Sequence, residues 1–189
     1  ATKNKCNDPR REFEELLAPH RSALLGYAIR LTGDKTDGED VLQESYYRAF
    51  RGLGGFKRGT NFRAWMFRIV TNTFISSKRK ETRSPRTIDL DSVPETVGSP
   101  ESPPEHSANE WCSAYTTAVS DEMKLALDEL PDEFRIPLLL NALGELRYKE
   151  IAAVLKVPIG TVMSRLFRAR QRLRESLSDY ALAHGYRAA

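Results

Sequence analysis

Two stretches of this 189-residue chain hold side chains of the kind that read nucleic acid. One opens with Tyr148-Lys-Glu-Ile-Ala-Ala-Val-Leu155, turns at Lys156-Val157-Pro158 and continues as Ile159-Gly-Thr-Val-Met-Ser-Arg165-Leu-Phe-Arg-Ala-Arg170-Gln-Arg-Leu173-Arg174. A short amphipathic segment, a tight turn and a longer amphipathic segment predict a helix-turn-helix. In the longer segment Val162, Leu166, Ala169 and Leu173 form the stripe expected to be buried. Thr161, Arg165, Arg168 and Arg172 recur at a 4-3-4 spacing and share another stripe. A major groove admits such a helix, with its N-terminal side chains nearest the bases and its later arginines nearest phosphates. A solvated basic helix on an ordinary bundle would share the charge run without the turn and the stripe.

The other stretch runs from Phe56 to Lys80 and alternates aromatic rings with basic and amide side chains. Charge suits a phosphate backbone, and rings suit stacked or flipped bases of a single strand. Phe62, Trp65 and Ile69 also sit at helical core spacing, so packing accounts for them equally well. A third group, Asp40, Gln43 and Glu44, shares one helix face by its three- and four-residue spacing. Residues 33–50 carry only Lys35 and Arg48 against Asp34, Asp37, Glu39, Asp40 and Glu44. That face would repel DNA and suits either a basic protein surface or solvent.

No catalytic or metal-ligating set emerges. His20, His106 and His184 are scattered, and Gly52, Gly54, Gly55 and Gly59 lack phosphate-loop spacing and follow no strand. Asp132-Glu133 is a common helix start. Cys6 and Cys112 lie far apart, which argues against a disulfide framework and a self-contained zinc site. The chain is therefore expected not to be an enzyme, and no cofactor or metal is expected.

The elements that must position these groups are all helical. Phe13, Leu16, Leu17, Leu24, Ala28 and Leu31 predict one helix over 12–32 that stops at Gly33. Asp37 is the expected N-cap of the next helix, which ends at Gly52–Gly55. A third helix is expected from Asn61 to about Lys80. Then Pro85, Pro94, Pro100, Pro103 and Pro104 fall within twenty residues, in a Ser- and acid-rich setting. Such a segment reads as an extended linker, with Trp111 and Tyr115 near its end. Beyond it, Met123, Leu127 and Leu130 mark a helix that Pro131 interrupts, and 134–143 another, with Pro137 near its first turn. A last helix is expected from about 159 to 180. The fold class is all-α: two small helical domains, 12–83 and 121–180, joined by an extended linker, 84–120.

Composition agrees: 40% hydrophobic, 29% charged and 9% aromatic residues describe a folded chain. Domains of about 70 residues have thin cores. No apolar run is long enough for a membrane span, and residues 1–15 have no apolar signal core, so a cytoplasmic protein without membrane insertion is expected. The net charge of +3 hides a division. Residues 56–83 and 147–174 each carry eight Lys and Arg against one acidic residue, whereas 84–120 carry one against six and 121–146 two against seven. Two basic footprints imply two contacts with a polyanion.

An acidic Asp-x-x-Gln-Glu helix, an aromatic-basic helix and a C-terminal helix-turn-helix, in this order, resemble a bacterial extracytoplasmic-function sigma factor. The matching residues are Glu39-Asp40-Val-Leu-Gln43-Glu44, Asn61-Phe-Arg-Ala-Trp65-Met-Phe-Arg68-Ile-Val-Thr-Asn72, Leu130-Pro131-Asp-Glu-Phe134-Arg135, Tyr148-Lys-Glu150-Ile-Ala and Pro158-Ile-Gly160-Thr161-Val-Met-Ser164-Arg165-Leu. The resemblance covers about 12–82 and 121–178.

It implies that the first domain is region-two-like, with Asp40, Gln43 and Glu44 facing the β′ clamp helices of core RNA polymerase. Lys57, Arg58, Asn61, Phe62, Trp65, Arg68, Asn72, Lys78 and Arg79 would engage the minus-10 element, capture a flipped base and help melt promoter DNA. The second domain would be region-four-like and meet the β flap. Its Thr161, Met163, Ser164, Arg165, Phe167, Arg168 and Arg172 would read the minus-35 element. The linker would thread toward the active-site cleft and RNA exit path. Gly59-Thr-Asn-Phe-Arg-Ala-Trp and Pro158-Ile-Gly-Thr-Val-Met-Ser-Arg look most like the oxidative-stress branch, whose members are often held by a zinc-containing, thiol-sensing anti-sigma factor. The resemblance thus implies a promoter-specificity subunit for a stress-response regulon. Its competitors are a stand-alone helix-turn-helix regulator, an RNA-binding protein using 56–80, and a purely structural bundle.

Overall fold

The computed structural model describes residues 8–83 and 121–183; the linker read at 84–120 lies outside the described residues, as do Cys6, Cys112, His106 and His184. Among the described residues only helices and turns occur. The single helix expected over 12–32 is two: α1 (Pro9–Leu17) and α2 (Arg21–Thr32), parted by a 3-10 turn at Ala18–His20. Pro19 is the reason, because it has no N–H to give the preceding turn and its ring crowds that turn. Asp8 starts α1 by accepting the Arg10 N–H at 3.0 Å, and Pro9 takes the first helical position, where no N–H is needed.

Gly33 ends α2 in the left-handed region, at φ 80°, and its N–H bonds the Ile29 carbonyl at 2.9 Å. Asp34, rather than the expected Asp37, then caps α3 (Lys35–Gly52). Its carboxylate accepts from the Thr36 and Asp37 N–H groups at 2.7 and 3.1 Å. The chain re-enters a helix directly after Gly33, which leaves Asp37 in the first turn, where its charge complements the helix dipole. The α2–α3 crossing is tight: a Cβ on Gly38 would lie 2.7 Å from the Ile29 Cα.

Asn61 starts α4 (Phe62–Arg83), its side-chain oxygen accepting the Ala64 N–H at 3.1 Å. Leu24, Tyr27 and Leu31 of α2, Val41 and Ala49 of α3, and Met66, Phe67 and Val70 of α4 make the core of this half. The Thr71 hydroxyl donates to the Phe67 carbonyl at 2.7 Å, so the fully buried Tyr27 hydroxyl donates to Thr71 Oγ1 at 2.8 Å. Burial pushes the Tyr27 phenol well above its usual range, which keeps it neutral.

The second half contains α5 (Asp121–Asp128), α6 (Asp132–Ala142), α7 (Tyr148–Leu155), α8 (Ile159–Ser176) and the short α9 (Ser178–Ala183). Because α6 begins at Asp132, Pro137 is inside the helix and not near its first turn. The Glu133 carbonyl thereby loses a backbone donor. The last helix stops at Ser176, short of the expected 180, with Leu177 outside helical angles (φ −101°, ψ 10°). Ser176 and Ser178, residue types that compete for backbone hydrogen bonds, flank the break.

The halves do not stand apart. α2 packs on α6 and α4 on α7, and buried residues from both halves form one continuous cluster. Arg135 is 6% exposed and reaches from α6 to the Leu31 carbonyl of α2 at 3.0 Å, while holding Asp132 at 2.7 Å in its own half.

Candidate nucleic-acid interface

The helix-turn-helix of the second half is built from α7 and α8. The Glu150 carboxylate accepts the Arg147 N–H at 2.8 Å and so fixes the start of α7. Lys156, left-handed at φ 55°, ends it, and Pro158 precedes α8. Val162, Leu166 and Ala169 of α8 are buried against this half, as their spacing predicts, and Leu173 is half-buried.

Burial of that stripe turns the opposite face outward. Phe167 is 69% exposed and Met163 49%, flanked by the exposed Ser164 and Arg168. A bulky apolar pair surrounded by hydroxyl and guanidinium groups can contact thymine methyls while polar neighbours bond base edges and phosphates. Thr161 and Arg165 are half-buried, and Arg165 lies 3.8 Å from the Glu133 carboxylate. Arg172 folds its guanidinium over the Phe134 ring, 4.9 Å from the centroid. The 4-3-4 stripe is therefore split: Arg168 faces out, whereas Arg165 and Arg172 lean onto their own half.

In the first half, Asp40, Gln43 and Glu44 lie exposed on one face of α3, as expected. Arg48 Nε donates to Glu44 at 2.6 Å. Tyr47, 57% exposed, extends the same face, with the Arg51 guanidinium 5.6 Å from its ring centroid. Sequence reading missed Tyr47. The signal was its place three residues after Glu44, overshadowed by Tyr46, which does pack on the core.

The residues expected at the minus-10 element divide three ways. Lys57, Arg58, Arg68, Asn72 and Arg79 are exposed. Arg58 reaches back to Glu12 at 2.7 Å, and Gly59, at φ 85°, shapes the loop they share with Lys57. Phe62 is a correction: it is 7% exposed, with its ring among Phe13, His20, Phe56 and Trp65. In this conformation it is a core residue and offers no face to a base. Trp65 is half-buried, 5.1 Å from the Phe56 ring. His20, stacked on Phe62, has its pKa lowered by burial and then by the charge of Arg63, which favours neutral imidazole.

Asn61 and Lys78 are the third group. Both side chains are engaged by the second half, Asn61 donating to Glu150 at 2.6 Å and Lys78 to Asp132 at 2.8 Å. Arg63, absent from the sequence-based set, joins them: it donates to Glu145 at 2.8 Å and to the Leu143 carbonyl at 2.9 Å. Among the described residues no cluster of three or more His, Cys, Asp or Glu is placed to hold a metal ion, and no helix is long and apolar enough to cross a membrane.

Comparison with known proteins accounts for both halves. Residues 16–84 match the family model of sigma-70 region 2, and residues 120–173 that of sigma-70 region 4. The ECF RNA polymerase sigma factor SigE of Mycolicibacterium smegmatis is 34% identical over 169 residues, which are 89% of this chain; the chain spans 63% of that relative's length. The ECF RNA polymerase sigma-E factor of Salmonella typhimurium is 34% identical over 143 residues, 71% of this chain and 71% of the relative. Among solved structures, the sigma factor RpoE of Bartonella quintana, in complex with the anti-sigma factor NepR, superposes with a TM-score of 0.69 at 29% identity, over 89% of this chain and 98% of that one. The acidic α3 face, the basic α4 and the helix-turn-helix thus lie on the two modules of a known kind of transcription initiation factor, one that has no enzymatic activity of its own, and the chain belongs to the family of extracytoplasmic-function sigma factors.

Proposed function

We propose that this chain is a dissociable, promoter-specificity subunit of RNA polymerase whose α8 reads the minus-35 element and whose α4, with the loop before it, reads and helps melt the minus-10 element. The observation that carries this is the exposed row Met163, Ser164, Phe167 and Arg168 opposite the buried stripe of α8. Burial of Val162, Leu166 and Ala169 puts this apolar pair and the Arg168 guanidinium together on one outward face, the combination a major groove accepts. The exposed Asp40, Gln43, Glu44 and Tyr47 of α3 would dock the β′ clamp helices, and the second half would meet the β flap. The protein would act in the cytoplasm, where its polymerase is.

A relative with the same architecture was solved with an anti-sigma factor bound. By extension, an anti-sigma factor holds this chain until an inducing stress, and a zinc-containing, thiol-sensing partner of the oxidative-stress branch is our specific proposal. The test is multi-round transcription with purified core polymerase on a pool of bacterial promoter fragments, with and without the chain. New transcripts with mapped start sites are expected. Absence of core binding would return the stand-alone helix-turn-helix regulator to first place.

A further inference from the structure

The turn before α4 is tied to the first helix of the chain. The Lys57 carbonyl accepts the Thr60 N–H at 3.1 Å and the Thr60 hydroxyl at 2.7 Å, which closes a β-turn over Lys57–Thr60. Gly59 stands at φ 85° and Arg58 outside the left-handed region, so the turn is of type II and Arg58 is its first corner. From that corner the Arg58 guanidinium donates to the Glu12 carboxylate of α1 at 2.7 Å, across 46 positions of sequence. Both flanks of the turn are fixed as well. The Phe56 ring lies 5.4 Å from Phe62 and 5.1 Å from Trp65, and Asn61 caps α4.

Glu12 is itself placed by its neighbours. Asp8 and Pro9 start α1, and the buried Phe13 sets its rotation by meeting Phe50 of α3 at 5.8 Å and Phe62 of α4 at 6.3 Å. The break at Pro19 frees α1 from the line of α2 and lets it take this course. An ion pair whose arginine is 73% exposed adds little to folding. What it restricts is geometry, because a guanidinium held on a packed helix takes freedom from the corner of the turn. A base drawn out of its stack is read by hydrogen bonds to its edge, and groups that read it discriminate only when their supports hold them in place.

We propose that Glu12 is a positioning residue for minus-10 reading: without touching DNA, it holds the Lys57–Thr60 turn, through Arg58, in the shape that receives a flipped base. The proposal rests on the sigma-factor reading, which assigns this loop to the minus-10 element. A phosphate contact by Arg58 would require it to leave Glu12, and that use predicts the opposite sign for a Glu12 substitution.

The test uses the full chain with core polymerase. A promoter fragment transcribed by the wild-type chain is randomised at its minus-10 element, each template carries a barcode, and transcripts are counted by barcode. Wild type, Glu12→Gln, Arg58→Ala and the double variant are compared, with Glu14→Gln, an exposed charge loss on the same helix, as the control. Glu12→Gln and Arg58→Ala are each expected to lower the preference for the favoured base at the same minus-10 position by about three- to tenfold, and the double variant by no more than Arg58→Ala alone. The other minus-10 positions should keep their preferences, and thermal melts should stay at the wild-type midpoint. Unchanged preferences in a Glu12→Gln chain that melts normally, an equal change in Glu14→Gln, or additive losses in the double variant would overturn the proposal. So would a rise in yield on every template for Glu12→Gln with a uniform fall for Arg58→Ala, which would give Arg58 to a phosphate. Transcription with unchanged preferences removes the proposal alone, whereas no transcript from the wild-type chain on any promoter removes the sigma-factor reading and the proposal with it.

Discussion

Phe62 and Phe167 carry the same side chain on two basic helices, and the structure gives them opposite fates. Phe62 is 7% exposed inside an aromatic cluster, whereas Phe167 is 69% exposed. Truncation should therefore act through different quantities. Phe62→Ala is expected to cost about 3–5 kcal/mol of folding stability, the range for a buried phenylalanine, and to be seen first as a lower denaturation midpoint. Phe167→Ala should leave the melt within about 0.5 kcal/mol of wild type and weaken binding to duplex minus-35 DNA. Arg168→Ala should behave likewise, losing about 1–3 kcal/mol of duplex affinity if it contacts a base. A fall in the Phe167→Ala melting point comparable to that of Phe62→Ala would remove Phe167 from the reading surface. Sequence spacing left Phe62 open between core and ligand, because a ring at a core position inside a basic stretch satisfies both patterns. Only the three-dimensional neighbours, Phe13 of α1 and His20 of the 3-10 turn, decide it.

At the scale of elements, most of the helices and the class of the fold were legible, because apolar periodicity survives translation into packing. α7, the turn at Lys156-Val157-Pro158 and the buried stripe of α8 follow the sequence reading nearly residue for residue. What failed were boundaries. The apolar spacing of α1 and α2 continues across Pro19, so periodicity alone joins them, yet a helix cannot run through the missing N–H without a break or kink. Asp37 outranked Asp34 because acidic first-turn residues and N-caps look alike in one dimension. Gly38 had no local signature either. Its role comes from the Ile29 backbone on a neighbouring helix, 2.7 Å from where a Cβ would be. Gly38→Ala should force α2 and α3 apart and cost at least about 1–3 kcal/mol, the usual range for overpacking. Gly54→Ala, where nothing lies within 4 Å, is the matched control and should be near neutral. Chemical denaturation of both variants reads the difference; equal midpoints would mean the α2–α3 crossing relaxes freely.

At the scale of the whole molecule, the expectation of two small domains on a linker omitted the contact between them. The sequence shows a basic 56–83 and an acidic 121–146, but pairing between residues 54 to 104 positions apart leaves no periodic trace. Arg135 shows the consequence. A Leu-Pro-Asp-Glu-Phe-Arg run reads as a local helix start, and Arg135 does bond Asp132 in its own turn, but its other partner is the Leu31 carbonyl of the first half. Because the cores of the halves are continuous, heating the full chain should give coincident transitions by heat capacity and by circular dichroism, the behaviour of one cooperative unit. Arg135→Ala strips the Leu31 carbonyl and Asp132 of a buried donor together, with an expected cost of about 1–3 kcal/mol for the group left unpaired. It should also uncouple the halves, so that the single transition broadens or splits. Raised salt should act on the same contact more gently, since the pairs at Lys78 and Glu145 are exposed and screened while the bond from Arg135 to the Leu31 carbonyl is buried. If Arg135→Ala lowered the midpoint but left one sharp transition at every salt concentration, the halves would be held together by their apolar contacts alone, and the arginines would only decorate the seam.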